Sequence, residues 1–91
     1  MPLFMMHCTD KPGALALRQA TRAAHLDYIA QTGCVLQAGP LLDDEGQMAG
    51  SLLVLDLPDL QAAQDWGAAD PYAQAGLFAA THVQEWKKVI G

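Results

Sequence analysis

Apolar and polar positions follow two rhythms along this chain. LFMMHC, residues 3–8, is a short apolar run with an aromatic near its start, and SLLVLDL, residues 51–57, is almost wholly aliphatic. Both read as strands, the second central in a sheet. CVLQAGPLL, residues 34–42, reads as another strand. Its Gly39-Pro40 places it at a sheet edge or a bulge, because proline has no N–H to give to a ladder. LFAATHVQEWKKV, residues 77–89, reads as a long last strand. From about Ala14 to Thr32 the rhythm is helical, with Gly33 in the position of a C-terminal cap. A second helix runs from Pro58 to about Ala69; Pro58 suits its first turn and Asp59 its dipole. TDKPG (9–13) and the acidic DDEGQMAG (43–50) are turns. In DPYAQAG (70–76), Asp70 and Pro71 have the arrangement of an N-cap and first position of a short helical turn.

The element order is β-α-β-β-α-β, which predicts an α+β, ferredoxin-like fold. An antiparallel four-stranded sheet in spatial order 4-1-3-2 carries both helices on one face. An antiparallel sheet with one face in water alternates apolar and polar residues. Here Leu3, Phe4, Met5 and Met6, then Leu52, Leu53, Val54 and Leu55, are apolar at both parities. Strand one is therefore expected to be buried on both faces, and the helix-free face to be covered by a second copy. The reading is a homodimer of single domains, each spanning residues 1–91.

Composition supports an interface: 52% of the 91 residues are hydrophobic and only 16% charged, a high apolar share where surface is plentiful and core scarce. A net charge of −5 with five Lys and Arg supplies no basic footprint for nucleic acid or an anionic membrane surface. No apolar run approaches the roughly 20 residues that span a bilayer, and the opening MPLFMMHC has no basic leader. A cytoplasmic protein is expected. Cys8 and Cys34 lack CxxC spacing and fall on strands separated by a third, about 9–10 Å apart, so two free thiols are expected. DDEG lacks the ligand spacing of a calcium loop, and His7 with His82 makes too small a set for zinc; neither a metal site nor a cofactor is expected.

Candidate chemistry gathers on the first helix. Arg18, Arg22, His25 and Ile29 fall within one narrow arc; Leu15 and Leu26 lie to one side, with Ala23 and Ala30 beyond them. His25 thus sits where the apolar face meets water. A lone histidine on a helix is most often structural, but histidine is also the side chain best suited to accepting a proton near neutral pH. Arg18 and Arg22 beside it suit an anionic substrate. Ser51 has no GxSxG elbow around it and reads as a hydroxyl donor lining a pocket, not a nucleophile. Trp66 and Trp86 read as apolar anchors.

RxxHLxY at Arg22–Tyr28, AGPL at Ala38–Leu41, GS at Gly50-Ser51 and the block AAQDWGAADPYAQAGLF at Ala62–Phe78 occur in this order. In these blocks, which cover nearly the whole chain, the sequence resembles the YciI-like family. The resemblance implies a dimeric α+β barrel and a His/Asp pair in a small pocket. By motif these are His25 and Asp70 as catalytic residues, with Ser51 beside them. One branch of the family is similar to a dehydrochlorinase of a chlorinated hydroxyhydroquinone. Two functions are then in view. One is an acid–base enzyme without a cofactor, dehydrochlorinase-like or isomerase-like, in which His25 moves a proton, Asp70 orients it, Ser51 binds an unknown small molecule and Arg18 or Arg22 holds its charge. The other is a non-catalytic metabolite-binding or regulatory interaction module. An enzyme should bring His25 and Asp70 within hydrogen-bond reach at a cavity.

Overall fold

The structure, a computed structural model, describes residues 2–91. Its elements are β1 (Leu3–Asp10), α1 (Leu15–Thr32), β2 (Val35–Leu42), β3 (Met48–Asp56), α2 (Leu60–Ala69), α3 (Pro71–Gln74) and β4 (Phe78–Trp86). The four strands form one sheet in the order β2-β3-β1-β4, every neighbouring pair antiparallel. This is the ferredoxin-like α+β arrangement, with β3 inserted between the strands that α1 connects.

Alternation decides which face carries the core. Phe4, Met6 and Cys8 of β1 and Leu53 and Leu55 of β3 point to one side and are buried, with Ala63 and Trp66 of α2 packed on them. Tyr28 and Ile29 of α1 close the same layer. The two long helices are joined through a small polar lock: Tyr28 Oη donates to the Trp66 carbonyl at 2.8 Å, and Trp66 Nε1 donates to Thr32 Oγ1 at 2.9 Å. Gly67 lets α2 sit close on the sheet, since a Cβ there would come within 3.1 Å of the Met6 side chain.

The opposite face of the sheet has no layer over it in the single chain. His7 is exposed, Leu3 and Met5 are half-buried, and Leu52 keeps 42% of its surface in water. Within the single chain β1 is therefore buried on one face. Trp66 is an anchor as expected; Trp86 lies on the face that nothing covers in the single chain. It pairs with Leu3 at the end of the uncovered face and is 40% exposed.

Element ends differ from expectation for local reasons. β4 stops at Trp86, because its partner β1 begins at Leu3 and residues further along have nothing to pair with. β3 starts at Met48, extending the hairpin with β2; Asp43 Oδ1 tightens the intervening turn by accepting from the backbone N–H of Glu45 and Gln47. α2 starts at Leu60, since Asp59 is its N-cap and accepts from Ala62 N–H at 2.8 Å, leaving Pro58 outside. Gly33 caps α1 in the left-handed conformation at φ 67°, and Pro40 lies on edge strand β2, both as the sequence implies. Cys8 and Cys34 are free thiols, and among the described residues no helix is long and apolar enough to cross a membrane.

Candidate active site

α1 buries two residues, and both are polar: Arg18 and His25, one stripe of the helix two turns apart. They reach over the β2–β3 half of the sheet, where a cavity of about 160 Å³ is lined by Arg18, Arg22, His25, Ser51 and Tyr72. Its apolar wall comes from Leu26 and Ile29 of α1 and from Pro40, Met48 and Leu53 of the sheet.

His25 is 6% exposed and borders this cavity, while Asp70 is fully buried behind it. His25 Nδ1 and Asp70 Oδ1 are 2.8 Å apart. A carboxylate accepts, so Nδ1 carries a proton, and in the neutral ring Nε2 is then the nitrogen with the lone pair. The same Asp70 oxygen accepts from the Tyr72 N–H at 3.0 Å, capping α3, and Oδ2 has no partner among the described residues. The break between α2 and α3 thus does two things: it ends one helix and aims a carboxylate at α1. Residues 45 positions apart in the chain meet here.

Arg18 is held on several sides. Its Nε donates to Asp10 Oδ2 at 2.7 Å; its Nη2 donates to Asp10 Oδ1, to the Gly50 carbonyl at 2.8 Å and to Ser51 Oγ at 2.7 Å. Burial works against the charged guanidinium, but the hydrogen bond and charge of Asp10 outweigh it and raise the Arg18 pKa. Asp10 did not stand out in the sequence, because it lies in a segment that reads as a turn. β1 in fact continues to Asp10 through a register shift against β4 after Thr9, which brings the carboxylate to α1. Gly50 is needed beside it: a Cβ there would strike the Cys8 carbonyl oxygen of the neighbouring strand.

Tyr72 is the other residue that sequence reasoning passed over. It is 2% exposed, stacks on the His25 imidazole with centroids 4.0 Å apart, and has the Arg18 guanidinium 4.6 Å from its ring centre. Burial raises its phenol pKa, while the charges of Arg18 and Arg22 pull the other way. The available signal was its place directly after the Asp70-Pro71 cap, which fixes its backbone. Arg22 differs from Arg18: it is exposed, lines the cavity, and makes no ion pair or hydrogen bond with any other described residue. All five candidate residues — His25, Asp70, Ser51, Arg18 and Arg22 — therefore meet in one place. Among the described residues no cluster of His, Cys, Asp and Glu is arranged to hold a metal ion.

Residues 2–87 match the family model of the YCII-related domain. An uncharacterized protein of Haemophilus influenzae is 37% identical over 96 residues, covering 96% of this chain and 98% of that one. Protein YciI of Escherichia coli O6:H1 is 34% identical over 97 residues, covering 97% and 99%. Among solved structures, 5-chloro-2-hydroxyhydroquinone dehydrochlorinase from Burkholderia phenoliruptrix AC1100, in complex with 2,5-dihydroxybenzoquinone, aligns over 93% of each chain with a TM-score of 0.84 and 35% identity. An antibiotic biosynthesis monooxygenase aligns with a TM-score of 0.62 at 14% identity, a likeness of fold alone.

Proposed function

Because the chain belongs to the YCII-related domain family, we propose that it is an acid–base enzyme in which His25 Nε2 takes a proton from a small hydroxylated ring and a leaving group departs from that ring. The observation that carries this reading is the buried Asp70 carboxylate bonded to His25 Nδ1, with His25 alone of the pair bordering the cavity. A pure interaction surface has no need of such a pair. Asp70 orients the ring and stabilises the imidazolium that forms when the proton arrives, as carboxylates behind catalytic histidines do. Ser51 binds a substrate oxygen, and one of the two arginines meets its charge.

Two further points support the substrate class. A cavity of about 150 Å³ holds a benzene ring, so the 160 Å³ here suits one ring. The dehydrochlorinase that resembles this chain at 35% identity acts on a hydroxylated single ring. On a chlorinated hydroxyhydroquinone the elimination needs the keto form of the ring, in which one O–H proton has moved to the carbon that bears chlorine. The base then takes a second O–H proton, and the O–H pair becomes a C=O π-bond. The ring double bond shifts toward the C–Cl carbon and chloride leaves with the former C–Cl pair, so that H⁺, Cl⁻ and a hydroxyquinone are the products. We place the protein in the cytoplasm, working as a homodimer joined through the helix-free face of the sheet.

The test is chloride release from 5-chloro-2-hydroxyhydroquinone, followed with an ion-selective electrode under anaerobic conditions. The expected result is turnover by the wild-type protein that falls by about 10²-fold or more in His25→Gln. Binding of the ring without turnover would move the protein to the class of metabolite-binding modules. Turnover that survives His25→Gln would remove His25 from the chemistry.

A further inference from the structure

The cavity wall carries arginines, and no described carboxylate lies among its lining residues. Arg18 has its counterion in Asp10, two hydrogen bonds deep. His25 has Asp70 behind it. No carboxylate lines the cavity itself, so Arg22 is a guanidinium facing it without a partner. Ser51 adds a donor: its Oγ accepts from Arg18 Nη2, which leaves the hydroxyl proton free to be given away. The rest of the wall near these groups is Leu26, Ile29 and Leu53.

From this we infer that the cavity selects a single-ring ligand bearing one negative charge, with Arg22 as the residue that sets the selection. The inference deepens the reading under Proposed function by naming the charge class of the substrate, and it concerns binding rather than proton transfer. A neutral ring leaves the Arg22 guanidinium without an acceptor, so it gains little there. A monoanion, whether carboxylate or phenolate, matches the planar donor fork of arginine. A second negative charge would have neutral donors such as the Ser51 hydroxyl but no second unpaired cation to meet. A buried charge without a counterion is costly. The surrounding protein, at net charge −5, adds no long-range attraction for a dianion. The charge of Arg22 already acts on the Tyr72 phenol in the cavity wall, as that of Arg18 does.

Three probes of one ring each separate the cases by isothermal titration calorimetry at neutral pH: 2-hydroxybenzamide, 2-hydroxybenzoate and benzene-1,2-dicarboxylate carry no, one and two negative charges. The 2-hydroxybenzoate should bind at least about tenfold more tightly than either of the others, the usual worth of one charge-assisted hydrogen bond. Arg22→Gln should abolish that preference and leave amide binding unchanged; Arg22→Lys should keep part of it, having the charge without the fork. Arg22 is exposed and unpartnered, so these variants should melt within a degree or two of wild type. Equal binding of the three probes, no detectable binding of 2-hydroxybenzoate at millimolar concentration, or a preference that survives Arg22→Gln would each overturn the inference. The same titrations on His25→Gln keep the two readings apart. Monoanion preference in His25→Gln as in wild type shows that binding does not need the base, whereas monoanion preference in a wild-type protein that releases no chloride sinks the catalytic reading and leaves this one standing. Chloride release without the preference does the reverse.

Discussion

Asp70 carries two duties that one substitution separates. As a cap it needs only an acceptor for the Tyr72 N–H, and asparagine caps nearly as well as aspartate. As the partner of His25 it must meet an imidazolium with a charge, which asparagine cannot do. Its Oδ2, buried and without a partner among the described residues, adds nothing to stability that would be lost. Asp70→Asn should therefore change unfolding free energy by less than about 1 kcal/mol in chemical denaturation, while turnover falls by about 10²-fold or more. A well-folded, fully active variant would leave Asp70 a cap and nothing else. Cys8 supplies a pH prediction. Burial first, then the charges of Asp70 and Asp10, push its thiol from 9.0 up to about 11 against the opposing Thr81 hydrogen bond. The folded state thus keeps the proton after the unfolded chain has lost it. Below about pH 9 nothing changes; between about 9 and 11 stability should fall as pH rises. Cys8→Ala should flatten that decline in urea titrations across the same range, whatever it does to stability at neutral pH.

Elements explain which parts of the site could be read in the sequence. Helical winding alone put Arg18, Arg22 and His25 on one arc, because i, i+4 and i+7 share a face whatever the helix packs against. The capped turn at Asp70-Pro71 was equally local, and so was the glycine after α1. What winding cannot say is that Asp70 lies 2.8 Å from His25, since that contact is made by packing of α3 on α1 across the whole fold. Only the family resemblance pointed to the pair. Asp10 was hidden for another reason: whether β1 ends at Cys8 or at Asp10 depends on how far β4 stays in register with it. Tyr72 looked like one residue of a turn and proved to be the surface on which His25 stacks. β3 and β1 then fix the glycine at position 50. Its missing side chain lets Cys8 approach, and its carbonyl accepts from Arg18. Gly50→Ala must push the two strands apart, so a loss of about 1–3 kcal/mol in denaturant unfolding is expected, the usual cost of overpacking. Because Arg18 is anchored on that carbonyl and on Ser51, binding of ring probes should weaken in parallel. Unchanged stability would mean that the strands yield without cost.

At the scale of the whole molecule the unequal faces of the sheet set the last expectation. One face is sealed by α1 and α2, while the other leaves Leu52 and Trp86 exposed beside half-buried Leu3, Met5 and Val54. A domain of 91 residues buries a modest share of its surface alone, so covering this face is a substantial part of what it can still gain. The occupant expected is a second copy. The face is broad and carries one carboxylate, Asp56, at its end opposite Leu3, while its other polar side chains include His7, His82 and Gln84. So few charges suit a self-complementary interface better than a charged partner. A stable pairing of standard size buries about 1,600 Å² in total. Sedimentation at micromolar concentration should therefore show a species of twice 9.7 kDa. Leu52→Glu should return it to the monomer mass, because each copy would bring a carboxylate into the middle of the interface. Leu52 stands on the face away from α1 and the cavity, so the fold of each chain should persist, with an unchanged far-ultraviolet circular dichroism spectrum. A wild-type protein that sediments only at 9.7 kDa would show that the sheet face is left open in solution. A dimer that tolerates Leu52→Glu would place the contact elsewhere.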